Sequence, residues 1–274
     1  MERVIGIDIG GTKTLIGLAR GKEQVETRLF PTTVGDFHSF LTDLESNLIE
    51  IMESDECAFR DVRSIVISSP GLLDVENGVV VAAINLNWRN VELVQSIREI
   101  TGVADVVLEG DTRCGLVAEF DARSSRLQNM IYLTASTGIG CAIMIDGQIL
   151  RGAHNFAGEV GQTLTREGKR LEEIASGKYL SEEGDSPEHL VSAASALGNC
   201  IYNLYQIVDM ELCVIGGGLG LGNRDYYKFV QEYLAAREKR SPSGRKFPIE
   251  KSVYGTQAPL IGALLIAHDR MGAN

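Results

Sequence analysis

Asp8-Ile9-Gly10-Gly11-Thr12-Lys13 sets a carboxylate beside a turn whose backbone amides can approach phosphate oxygens closely. Thr12 and Lys13 add side-chain donors. Asp8 suits a Mg2+ held directly or through water, because that ion favours few carboxylates, retained waters and substrate phosphates. The same residues also suit a tight turn with a capping Asp. A second small-residue turn, Ala135-Ser136-Thr137-Gly138, and a third, Gly216-Gly217-Gly218, offer further close backbone approaches, the last fitted to the flat face of a nucleoside. Asp111 lies just past Val106-Val107-Leu108, where catalytic carboxylates gather in α/β folds. There it is the candidate general base, able to accept the proton of a hydroxyl nucleophile, and it equally suits the cap of a helix beginning near Thr112. Glu159, Gln162, Glu172 and Glu173 bring polar acceptors of the kind that hold hydroxyl-rich ligands, Glu173 fitting a solvated helix face better than the other two carboxylates. His154 and His268 lack partners at metal-ligand spacing.

The elements that must position these residues follow from pattern. Val4 to Ile9 is an apolar run closed by glycines, and Thr14 to Ala19 a second strand, so strand follows turn where a dinucleotide fingerprint would place a helix. Helical spacing covers Phe37 to Met52 and Val91 to Thr101, Ser64 to Ser68 and Val106 to Leu108 read as buried strands, and Pro70-Gly71 as a turn. The same opening recurs from Met130: a strand, the Ala135–Gly138 turn, a strand over Gly140 to Ile145, an Asp146-Gly147 hairpin and a strand over Gln148 to Leu150. Ser186 to Asp209 reads as one or two long helices, Leu212 to Ile215 as a strand, and Pro259 to His268 as a final helix. Two α/β lobes facing one another across a cleft are expected, residues 1–108 and 109–258.

Composition narrows the partners. At 274 residues with 44% hydrophobic and 23% charged residues, the chain can bury two ordinary cores. A net charge of -11 works against a phosphate-backbone partner, so nucleic acid is not expected. The basic run Arg237, Lys239, Arg240, Arg245 and Lys246 reads as a solvated loop. The five cysteines are scattered without a CxxC pair, as in a reduced, cytoplasmic protein. Neither a membrane span, a targeting peptide nor a leading helix-turn-helix is expected.

Taken jointly, Val4 to Thr14, Pro70-Gly71, Asn85-Leu86-Asn87-Trp88, Asp111, Ser136 to Gly140, Ala157 to Gly161 and Gly216 to Gly218 resemble the ROK family (repressor, open reading frame, kinase) almost from end to end. The resemblance implies the actin-like, hexokinase-type (ribonuclease H-like) ATPase fold, with the last helix, 259–274, packing back on the first lobe. It implies ATP and Mg2+ as cofactors, Asp111 as base, a sugar site of Pro70, Gly71, Asn85, Asp111, Glu159, Gln162 and Glu172, and a nucleotide site of Asp8, Gly10, Gly11, Thr12, Lys13, Thr137, Gly138, Gly216, Gly217 and Gly218. A homodimer is a further family expectation.

Three positions depart from the family pattern. Gly110 stands where an Asn usually precedes the base. Gln162 replaces a His, and the nine residues from Thr163 to Leu171 carry no Cys or His in place of a zinc loop. No structural zinc is therefore expected, while Glu172 keeps its distance to Ser176-Gly177. Within the family the chain is most similar to kinases of N-acetylmannosamine, which implies formation of the 6-phosphate. Glucokinase or another hexokinase activity and a non-catalytic sugar sensor are the alternatives.

Overall fold

A computed structural model describes residues 3–21, 23–123, 127–241 and 244–271, and the chain divides into two compact units, 1–118 with 259–274 and 119–258. In the first unit, β1 (Arg3–Ile9), β2 (Lys13–Arg20) and β3 (Glu23–Pro31) form an antiparallel meander. After α1 (Phe37–Ser54), β4 (Val62–Ser69) returns parallel to β1. A small antiparallel sheet of β5 (Leu72–Asp74), β6 (Val79–Ala83) and β7 (Trp88–Val91) follows. Then come α2 (Leu93–Thr101) and β8 (Val106–Gly110), which runs parallel to β4 and straight into α3 (Asp111–Ala122). The main sheet has the order β3-β2-β1-β4-β8.

Period-two alternation decides what each face of this sheet covers. Ile5, Ile7 and Ile9 pack with Phe40, Leu44, Leu48 and Ile51 of α1, which Asp36 caps by accepting the Ser39 amide at 3.1 Å. Each such side chain, fully buried, contributes roughly 1.5–3 kcal/mol. Val4, Ala19 and Val66 face the other way.

The second unit repeats the plan. β9 (Met130–Ala135), β10 (Ile139–Ile145) and β11 (Gln148–Ile149) form the meander, turning at Asp146 (φ 51°) and Gly147 (φ 71°) as a two-residue hairpin demands. The helices α4 (Glu172–Ala175), α5 (Gly177–Glu183) and α6 (Pro187–Val208) lead to β12 (Leu212–Gly216), parallel to β9. Next are α7 (Gly218–Gly222), α8 (Arg224–Glu238) and β13 (Ile249–Lys251), in the order β11-β10-β9-β12-β13. The strand orders of the two units correspond one for one.

The final helix, α9 (Ala258–Met271), belongs to the first unit, where Leu260, Ala263, Leu264 and Ala267 join Val4, Ala19, Val66 and Cys114. Residues 272–274 of the expected helix lie outside the described residues. The division between units falls inside α3, ten residues beyond position 108, because the first half of α3 is packed with α9. One local difference from the sequence reading has a simple cause: Val91 pairs with Val80 and ends β7, so α2 starts at Leu93. Of the one or two helices expected from Ser186 to Asp209, the structure has one, Pro187–Val208, capped by Ser186. The basic run is no loop throughout: Arg237 lies in α8 over the Tyr233 ring, Arg245 pairs with Asp209, and Lys246 pairs with Glu238 at 3.2 Å.

Candidate active site

Parallel pairing aligns Asp8 with Ser68 and Ser69 with Gly110, so the carboxyl ends of β1, β4 and β8 bring Asp8, Ser68 and Asp111 to one edge of the first unit. Ser68 Oγ donates to Asp8 Oδ1 at 2.8 Å. Burial pushes the Asp8 carboxyl up to about 7 against that hydrogen bond, and the charge of Asp111 pushes it the same way. Asp111 is half-buried at the start of α3, and its Oδ1 accepts the Thr112 amide at 2.6 Å. One residue thus carries both a local backbone contact and a carboxylate in electrostatic reach of Asp8. Behind it, buried Glu109 accepts the Gly110 amide at 2.9 Å and Arg113 Nη1 at 3.4 Å, fixing the peptide that leads into Asp111.

The first turn is shaped by what it excludes. Gly10 N donates to Lys13 O at 2.9 Å, and a Cβ at Gly10 would lie 2.7 Å from that same oxygen. Thr32 Oγ1 donates to Gly10 O at 2.9 Å and meets Thr14 Oγ1 at 2.8 Å, so the turn is braced from β2 and from the end of β3. Thr12 and Lys13 are exposed, and Gly11 stands 3.4 Å, from its would-be Cβ, off Asn85. Gly71, at φ 101°, has room for no side chain because Ala82 O would lie 2.4 Å away, and the neighbouring Pro70 O accepts from Ser69 Oγ at 3.2 Å.

In the second unit the turns after β9 and β12 border a cavity of about 450 Å³ lined by Ser136, Thr137, Gly177, Lys178, Ser181, Gly218 and Leu219. The Gly177 amide donates to Ser136 O at 2.6 Å, closing α5 onto the β9 turn. Of the three consecutive glycines only Gly218 lines this space. Gly216 is buried where a Cβ would meet Tyr132 Oη at 2.3 Å, and at Gly217, φ 81°, a Cβ would lie 2.4 Å from Ala135 O. Gly138 faces the other way, towards Glu172: its would-be Cβ lies 3.3 Å from Glu172 Oε2. Gln162 Nε2 donates to Glu172 Oε1 at 3.0 Å, and Arg170 Nη1 lies 3.0 Å from that oxygen. Glu159 is exposed on the short 3₁₀ approach to Gln162, held down by Gly161, where a Cβ would meet Ile139 O at 2.3 Å.

Residues 163–171 form a small hairpin bridged between Leu164 and Arg170 and closed by Leu171 N donating to Thr163 O at 2.8 Å. Among the described residues, no group of three or more His, Cys, Asp or Glu side chains is placed to hold a metal ion. Sequence reasoning missed Ser68, Gly177, Lys178, Ser181 and Leu219, and Arg170. For Gly177 a signal existed, since its spacing from Glu172 marks the start of a helix, and the structure sets that start against the β9 turn.

The chain belongs to the ROK family, whose description matches residues 4–185. An N-acetylmannosamine kinase from Salmonella typhi is 27% identical over 301 aligned positions, covering 96% of this chain and 97% of the relative. A ROK hexokinase from Thermus thermophilus has a similar structure at TM-score 0.80 and 25% identity, covering 99% of this chain and 100% of its own. A ROK family glucokinase from Streptomyces griseus, solved with glucose and AMPPNP, gives TM-score 0.79 at 20% identity over 97% of this chain and 99% of its own. The fold is the actin-like, hexokinase-type ATPase fold expected from the sequence.

Proposed function

We propose that this chain, an ATP-dependent carbohydrate kinase of the ROK family, transfers the γ-phosphoryl group of ATP to the 6-hydroxyl of N-acetylmannosamine. The observation that carries the reading is the placement of Asp111, at the start of α3, within electrostatic reach of Asp8 at the end of β1, which leads into the Gly10–Lys13 turn. Asp111 accepts the hydroxyl proton as the oxygen attacks phosphorus. The turn amides, Thr12 and Lys13 donate to phosphate oxygens. Asp8 fits a Mg2+, held directly or through water, because a cation there restores the charge that burial opposes. That ion, when bound, neutralises charge building on the phosphates. The cavity beside Gly218 and Lys178 suits the nucleoside in size and in its flat, glycine-floored approach. Glu172, Glu159, Gln162, Asn85 and Gly71 are assigned to the sugar. Relatives named N-acetylmannosamine kinase, aligned over nearly the whole chain, support the choice of sugar. We place the enzyme in the cytoplasm as a homodimer, which sedimentation tests.

A pocket that hydrogen-bonds an acetamido group leaves its own polar atoms unpaired when the group is missing, so selectivity belongs in kcat/KM. With a sugar panel, N-acetylmannosamine is expected to exceed glucose by about tenfold or more in kcat/KM. A higher kcat/KM for glucose replaces the substrate with that of the glucokinase-type relatives. Chelation should abolish turnover, and Mg2+ alone should restore it. A dependence on added zinc would show that the 163–171 segment has been misread.

The nucleotide side has its own test. A Cβ at Gly177 would lie 2.7 Å from Ser136 O, so Gly177→Ala must push α5 off the β9 turn and reshape the cavity. The KM for ATP is expected to rise about tenfold while the KM for sugar stays within about threefold. Equal changes in both would move the nucleoside elsewhere.

A further inference from the structure

Glu172 Oε1 is already committed inside the protein. It accepts from Gln162 Nε2 at 3.0 Å and lies 3.0 Å from Arg170 Nη1, which also donates to Gln162 Oε1 at 3.2 Å. The three side chains close a triangle in which each touches the other two. Arg170 is itself anchored from outside the triangle. Its Nη2 donates to Glu173 Oε1 at 2.9 Å, and its backbone amide donates to Glu173 Oε2 at 2.8 Å. Glu173 therefore fixes both ends of the arginine, and a planar guanidinium so held presents its donors at a set angle.

The local backbone explains why such a brace is useful. Glu172 opens α4, a helix of only four residues whose preceding residue, Leu171, makes no side-chain cap. Gln162 ends a three-residue 3₁₀ turn. Neither element is long enough to hold a side chain rigidly, and the hairpin between them carries Arg170 on its closing bridge. With Oε1 engaged, the oxygen directed at Gly138 is Oε2. A glycine is what leaves room there for another group.

We infer that Arg170 is a positioning residue for the sugar site: it orients Glu172 so that Oε2 meets a substrate hydroxyl, and it ties Gln162 to the same carboxylate. The inference rests on the assignment of Glu172 to the sugar. Because Arg170 and Glu173 are each nearly half exposed, the ion pairs add little to folding stability. Their contribution lies in geometry.

The test compares wild type, Arg170→Met, Arg170→Lys and Glu173→Gln by steady-state kinetics, with thermal melting of each. Arg170→Met is expected to raise the KM for sugar by about 10–100-fold, by analogy with the loss of an outer group that orients a metal ligand, with the KM for ATP within about twofold and an unchanged melting temperature. Arg170→Lys should recover only part of the loss, since an ammonium cannot reach Glu172, Gln162 and Glu173 from one plane. Glu173→Gln should show a smaller rise in sugar KM, and raising the salt concentration should raise sugar KM in wild type but not in Arg170→Met. If wild type phosphorylates sugar and Arg170→Met keeps the wild-type sugar KM, this inference falls and the reading of function stands. If wild type neither binds nor phosphorylates any sugar of the panel, both fall together.

Discussion

Asp111→Asn is expected to lower kcat by roughly 10²–10⁴-fold, the usual share of a positioned acid-base group, while the KM values for sugar and ATP change far less. The substitution keeps the size of the side chain and one acceptor oxygen. The Thr112 amide, now 2.6 Å from Oδ1, retains a partner, so the start of α3 should hold and the melting temperature should move little. What disappears is the basic carboxylate. Removing it also removes the charge that helps to raise the Asp8 carboxyl, so Asp8 should lose its proton more readily in the variant than in wild type. Kinetics within a few-fold of wild type, with normal stability, would assign Asp111 to the helix start alone and leave a sugar-binding sensor as the stronger reading.

Gly262→Ala is expected to be strongly destabilising. A Cβ at Gly262 would lie 1.7 Å from Cys114 O and 2.4 Å from its carbonyl carbon. Backbone lies on the other side, so no rotamer change relieves the contact, and α9 must move away from α3. That movement opens the layer of Val4, Ala19, Val66, Leu260, Ala263 and Leu264. Overpacking of a core costs about 1–3 kcal/mol when side chains can shift, and more when they cannot. At about 2–4 °C per kcal/mol, a fall in melting temperature of roughly 10 °C is expected, with loss of folded protein at growth temperature. Gly222→Ala, which meets nothing within 4 Å, is the control. A Gly262→Ala protein that melts within about 2 °C of wild type would mean that α9 does not sit against α3 as described.

What was legible in the sequence were the features written in one short stretch. Val4 to Ile9 followed by Gly10-Gly11 fixes a strand and a turn at once, and the matching stretch from Met130 gives the second unit the same opening. The correspondence of the two strand orders was visible only as a pattern, because the paired residues differ in identity. Features that depend on distant partners were not legible. β3 carries charged residues between its apolar ones and has no partner on its outer side within the sheet order, so it lacks the run of apolar residues that marks β1. The small β5-β6-β7 sheet is made of strands of three to five residues, too short for a period to declare itself.

The site divides in the same way. Asp8 and Asp111 stand out because a carboxylate after a buried apolar run is costly unless it has a use or a partner. Ser68 does not, since its role exists only through the parallel register that sets it beside Asp8. The three glycines from Gly216 to Gly218 were legible as a group but not singly: Gly216 is required by the Tyr132 hydroxyl, Gly217 by its φ of 81° and Ala135 O, and of the three only Gly218 borders the cavity. Arg170 was hidden for a further reason. Its partners at 162, 172 and 173 are brought within reach by a hairpin, and nothing in a run of Thr, Arg, Glu, Gly and Lys announces that the last arginine meets all three.

The central claim is a phosphoryl transfer from ATP to a sugar hydroxyl with Asp111 as base, and the most direct measurement is phosphorus NMR of a reaction holding the full chain, MgATP and N-acetylmannosamine, run beside Asp111→Asn. The account predicts that the γ-phosphate signal of ATP gives way to ADP and to one new phosphomonoester coupled to the protons on carbon 6 of the sugar, and that the variant forms this product at a rate lower by roughly 10²–10⁴-fold. Inorganic phosphate as the only new signal, or an equal rate of ester formation from the variant, would contradict it.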